Sequence, residues 1–108
     1  MVLMRLTLYL SGGAADSSRS AAALRNIERL AKRIEPHTFD LRVVDVLKSP
    51  EVAEARKILA TPALERSLPL PSRRFIGDLS DIDAVMVGLH IALPSELEIP
   101  SAQMPSGE

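Results

Sequence analysis

The chain contains no cysteine and no tryptophan, and its only aromatic side chains are Tyr9, Phe39 and Phe75. The missing thiols exclude a disulfide scaffold, a thiolate metal site, a thiol nucleophile and dithiol redox chemistry. So few aromatics are a poor kit for stacking on bases or sugars, which argues against nucleic-acid binding. Histidine is scarce too: His37 and His90 are the only two, too few to suggest a metal site. No apolar run approaches the roughly 20 residues that span a bilayer. The opening Met1-Val2-Leu3-Met4-Arg5-Leu6 lacks the pattern of a cleaved leader, so a cytoplasmic protein without membrane contact is expected.

What remains is an ordinary globular composition: 108 residues, 46% hydrophobic and 25% charged. That length suits one domain. The expected division is a single domain over 1–94 and a polar, proline-rich tail over 95–108. Charge is mildly polarised, +3 over residues 1–50 and −4 over 51–108, for a formal total of −1. A protein partner with patches of both signs suits this better than DNA or a membrane.

Residues 3–10 alternate Leu6, Leu8 and Leu10 with Thr7 and Tyr9, the period of a strand, and the weakly polar second face makes it central. Gly12 and Gly13 follow, and Asp16, Ser17 or Ser18 can cap a helix. That helix carries Leu24, Ile27, Leu30, Ala31 and Ile34 on one stripe and ends at Pro36. Phe39 to Val46 is a second strand, which completes a βαβ unit. Pro50 opens a second helix running to about Leu59, with Glu51 and Glu54 at its positive end. Ala63–Arg66 and Arg73–Gly77 read as short strands around the Pro69-Leu70-Pro71 turn. Ser80 is the expected cap of a last helix whose apolar face is Ile82, Val85, Met86, Leu89 and Leu93, and Pro94 ends it. The order βαβαββα is an α/β, thioredoxin-like arrangement.

In such a fold Thr61-Pro62 carries a cis peptide and faces the loop after the first strand. Redox enzymes keep two cysteines in that loop; here it reads Ser11-Gly12-Gly13-Ala14-Ala15-Asp16-Ser17-Ser18. No cofactor or metal is expected, and the loop has neither the glycine spacing nor the lysine of a phosphate loop. Asp81 and Asp83 are explained by the helix dipole and Asp78 by a turn before Ser80. Adjacent Arg73 and Arg74 must point to opposite faces of a strand. They either guard an edge or contact a partner.

Three blocks carry a resemblance: Asp45-Val46-Leu47-Lys48-Ser49-Pro50, Ile58-Leu59-Ala60-Thr61-Pro62-Ala63-Leu64, and Arg73-Arg74-Phe75-Ile76-Gly77-Asp78-Leu79-Ser80. In order and spacing, with Leu8-Tyr9 and Gly12 before them, they resemble the KaiB family of cyanobacterial circadian clock proteins. The resemblance implies a non-enzymatic regulator with two structures. One is a resting tetramer, or dimer–tetramer mixture, arranged βαββααβ. The other is a thioredoxin-like monomer that binds the clock ATPase KaiC and offers a surface to the adaptor KaiA, in competition with a sensor histidine kinase. On this resemblance Lys57, Arg73, Arg74 and Asp78 are partner-binding, and Thr61, Pro62, Gly88 and His90 belong to the conformational switch. The chain departs from the family in carrying His90 where an aspartate is usual, in a longer first loop over 13–22, and in lacking a long acidic tail. These departures imply a different partner choice or a different balance of the two structures. The alternative expectation is a redox-inactive thioredoxin-like domain with a chaperone, stress-response or adaptor role.

Overall fold

The computed structural model describes residues 3–35 and 38–91. The expected stop at Pro36, the positions of His37, Leu93 and Pro94, and the 95–108 tail lie outside them. Four strands and three helices follow in the order β1 (Met4–Leu10), α1 (Ser18–Arg33), β2 (Phe39–Asp45), α2 (Pro50–Arg56), β3 (Ala63–Leu68), β4 (Arg73–Ile76) and α3 (Ile82–Gly88). This is βαβαββα, the thioredoxin-like alternative of the two the sequence left open.

The strands form one sheet in the order β2-β1-β3-β4. β1 is central, as its alternation predicts, parallel to β2 and antiparallel to β3, with β4 antiparallel to β3. Period two then sorts the two faces. Met4, Leu6, Leu8 and Leu10 point to one side, where they are buried with Leu64 under α1 and α3. Helix α1 is capped by Ser17, whose side chain accepts from the Ser20 amide. Its buried line is Ser20, Ala23, Ile27 and Leu30, continued by Ile34. Leu24 is only partly buried, because small Ser20 and Ala23 let the helix approach the sheet one step round from the expected stripe. On α3, Ile82, Val85 and Met86 are buried, and Leu89 follows them into the core.

The opposite face is built differently. Thr7, Tyr9 and Glu65 lie there, and α2, the element over it, has no buried residue. At the β2 edge the helical layer runs out, leaving Leu41 37% and Val43 47% exposed.

β3 runs on to Leu68, past the expected Arg66, and the ends of two helices differ from expectation. Helix α2 stops at Arg56 because Lys57 turns into the left-handed region at φ 57°. The Lys57 amide then donates to Glu54 O at 3.2 Å and the Ile58 amide to Ala53 O at 2.8 Å, a Schellman closure that pairs those two carbonyls. Lys57 is therefore a corner residue and not a helical one. Helix α3 is capped by Asp81, whose Oδ1 accepts from the Ala84 amide at 3.1 Å. Ser80 instead donates its own amide to Asp78 Oδ1 at 3.0 Å.

Candidate functional site

The loop after β1 meets the turn before β3, as expected. Thr61–Pro62 is cis, and Ser11 Oγ lies 2.6 Å from Thr61 Oγ1. Gly12 needs its hydrogen: its φ is +83°, and an added Cβ would stand 3.0 Å from Asp16 Cβ. Asp45 Oδ1 accepts from the Gly12 amide at 3.0 Å and from the Leu47 amide at 2.9 Å. Those two bonds hold its carboxyl below the ordinary aspartate range and fasten the end of β2 to this loop. Where a redox enzyme of this fold places its dithiol, the chain has hydroxyls and backbone.

The α2 face holds the most organised polar cluster, centred on Glu65. Its side chain is 3% exposed. Tyr9 Oη donates to Glu65 Oε1 at 3.2 Å. Arg56 donates to the same oxygen from Nε at 3.3 Å and to Oε2 from Nη2 at 2.5 Å. Arg74 Nη2 adds a bond to Oε2 at 3.1 Å. Burial alone would raise the Glu65 pKa, but the hydrogen bonds and charges of Arg56 and Arg74 outweigh it and hold the carboxyl below its usual range. Burial raises the Tyr9 hydroxyl pKa, and the Glu65 charge adds to that.

Arg74 also donates from Nη2 to Arg56 O at 2.8 Å and from Nη1 to Lys57 O at 3.2 Å. Two of the expected partner-binding residues, Lys57 and Arg74, are thus brought together, with the Lys57 side chain exposed. Arg73 points to the other face, where it stands opposite Arg66. Asp78 lies elsewhere, in the β4–α3 loop. Its carboxylate is lowered by Ser80, through the hydroxyl first and the amide second. Its carbonyl accepts from Asn26 Nδ2 on α1 at 2.9 Å, so Asp78 ties the loop to α1. Sequence reasoning passed over Glu65, Arg66, Arg56 and Tyr9. The one available signal was an adjacent Glu-Arg pair in the middle of a short strand.

The expected switch residues Gly88 and His90 lie at the end of α3. His90 has φ 55°, and its amide donates to Val87 O at 3.1 Å, while the Ile91 amide donates to Met86 O at 2.9 Å. This is a second Schellman closure, with Ile91 and Met86 both buried beside it. A non-glycine residue at this position carries backbone strain of about 1 kcal/mol. His90→Gly is therefore expected to stabilise this arrangement by up to about 1 kcal/mol, read as a higher urea midpoint at constant slope. No gain would mean that the imidazole makes up the difference. Gly88 is helical, and a Cβ there would meet Phe75 Cδ2 at 3.3 Å.

A three-helix, four-stranded domain of this order, with hydroxyls at the dithiol position and an ionic cluster under α2, is a thioredoxin-like domain without the cysteine pair. A family model described as "KaiB domain" matches residues 7–91. The chain is 46% identical over 86 residues to the "Circadian clock oscillator protein KaiB" of Synechococcus elongatus, covering 80% of this chain and 81% of that one. It is 48% identical over 86 residues to the protein of the same name from Nostoc punctiforme, covering 80% of each chain. The chain belongs to the KaiB family. Its fold is similar to the solution structure of the N-terminal domain of Synechococcus elongatus SasA, at TM-score 0.64 and 22% identity, covering 81% of each chain.

Proposed function

We propose that the protein is a non-enzymatic circadian clock regulator that binds a KaiC-like ATPase as a thioredoxin-like monomer. The observation that supports this most is the α2 corner, where an exposed Lys57 is presented by a closed helix end above Glu65 and Arg74. A cation on a fixed corner suits a carboxylate-bearing partner surface. Arg73 extends the same end of the sheet from its other face. A KaiA-like adaptor or a sensor histidine kinase is the further partner class, and the free β2 edge with Leu41 and Val43 offers backbone pairing and apolar contact.

In this reading a resting dimer or tetramer stores the alternative order βαββααβ, and binding draws the chain into βαβαββα. Two packings of one sequence need differ by only a few kcal/mol. Gly88→Ala shifts that balance toward the thioredoxin-like order: alanine in a helix is worth about 1 kcal/mol over glycine. The gain requires Phe75, which the added methyl would meet at 3.3 Å, to shift slightly.

The test is a binding time course with the KaiC-like ATPase from the same cell. Gly88→Ala is expected to bind faster than wild type. Lys57→Ala is expected to lose about tenfold in affinity, the scale of a contact worth about 1.4 kcal/mol. Equal binding by all three proteins would sink the reading. Sedimentation is expected to show self-association alone and one monomer per ATPase subunit in the complex.

A further inference from the structure

Helix α2 has little apolar contact surface: Val52 and Ala53 are only half-buried and no residue of it is fully buried. None of its seven residues is buried, whereas α1 and α3 each bury at least three. An element with so little buried apolar area depends more on the polar bonds it makes, and here those bonds converge on one group. Glu65 receives two bonds from Arg56 at the last turn of α2, one from Tyr9 on β1 and one from Arg74 on β4. Four donors fill the acceptor sites of a carboxylate. Arg74 then reaches past Glu65 to the carbonyls of Arg56 and Lys57, the two residues at which the chain leaves the helix.

We infer that Glu65, Arg56 and Arg74 form an ionic latch that docks the C-terminal end of α2 on the sheet and sets the position of the Lys57 corner. Arg74 is then a positioning residue: its guanidinium is spent on Glu65 and two carbonyls inside the protein, and the surface it serves is carried by Lys57. The value of the latch for partner binding rests on the function proposed above; the latch itself does not.

Three groups of charge or titratable character face Glu65: Arg56 from α2, Arg74 from β4 and Tyr9 from β1. Both arginines are partly accessible, with side chains 45% and 32% exposed. Salt therefore reaches the latch, although it does not reach the packed core.

Amide hydrogen exchange on the free, full-length chain tests this without any partner. In Glu65→Gln the amides of Lys57 and Ile58, which close α2, are expected to exchange about tenfold or more faster while those of Leu6, Leu8 and Ile27 keep wild-type rates. Arg56→Ala, altered at a half-exposed side chain and therefore safe for folding, is expected to do the same to a smaller extent. Raising salt to about 1 M should accelerate Lys57 and Ile58 in wild type and leave Glu65→Gln unmoved, a signature that a merely structural glutamate would not give. Unchanged exchange at Lys57 and Ile58 in both variants would overturn the latch. So would acceleration spread evenly over β1 and α1. A selectively loosened α2 in a variant that still binds the ATPase at full strength would keep the latch and remove the partner surface proposed at Lys57.

Discussion

Arg66→Met is expected to lower the unfolding free energy by about 3 kcal/mol, seen as a lower urea midpoint with the slope preserved. Arg66 is buried beside an apolar core, which ordinarily counts against a charge. It is retained because its guanidinium serves three carbonyls at once. Nε donates to Leu89 O at 2.6 Å, Nη2 to Pro71 O at 3.3 Å, and Nη1 to Pro69 O. Leu89 is the C-cap of α3, where unpaired carbonyls concentrate negative charge. Pro69 and Pro71 form the turn between β3 and β4. One side chain therefore fastens the end of the last helix to the preceding hairpin.

Methionine would keep much of the apolar stem and lose every donor. Removing the cation relieves a desolvation cost, but leaving the buried Leu89 carbonyl unpaired costs about 1–3 kcal/mol, and the part-buried bonds to Pro69 and Pro71 are lost with it. The balance falls on the destabilising side. Burial, with Arg73 opposite, already lowers the Arg66 pKa. Arg66→Lys should fall between the two, since an ammonium lacks the planar fork that reaches three acceptors. A loss below about 0.5 kcal/mol for Arg66→Met, the ordinary range of surface changes, would show that water takes over the carbonyls.

Leu8→Ala is expected to cost about 3–4 kcal/mol, a large share of the 5–15 kcal/mol typical of a domain. Leu8 is fully buried on the central strand, with Val43 on one side and Leu64 on the other. A strand fixed on both edges cannot move in to fill the space, so the cavity term stays close to its full value. Leu41→Ala makes the control: its partner Leu6 is as buried as Leu8, but Leu41 is itself 37% exposed at the sheet edge and should lose much less. Equal losses at the two positions would mean that the β2 edge is covered in solution, for instance by a second copy.

The βαβ half was legible because its periods are long. Seven residues of alternation place β1, and sixteen residues of α1 carry a stripe that even a one-step error leaves on the correct side. In the second half the elements were found, but their ends were not. The helix pattern around Val52 continues smoothly through Lys57 to Leu59, and nothing local distinguishes Lys57 as the residue that turns left-handed. In the folded chain the carbonyls at that corner accept from Arg74, 17 residues beyond Lys57, a partner that no local pattern reveals. The same holds for Asp81 over Ser80: both are good caps, and Asp78 had already engaged the Ser80 amide. Glu65 and Arg66 were missed for a deeper reason. Adjacent strand residues face opposite sides, so one outward and one inward charge is the usual reading. Here both sides are covered, one by an ionic cluster and the other by the end of α3.

The two faces of the sheet therefore answer to different properties of the solution. Burial of apolar surface under α1 and α3 carries a heat-capacity change and responds to temperature along a curved profile. The α2 face is tied by charges that respond to ionic strength. Temperature and salt therefore act with different weights on the two faces of one small domain. The end that carries Lys57 sits on the side where ionic strength weighs more.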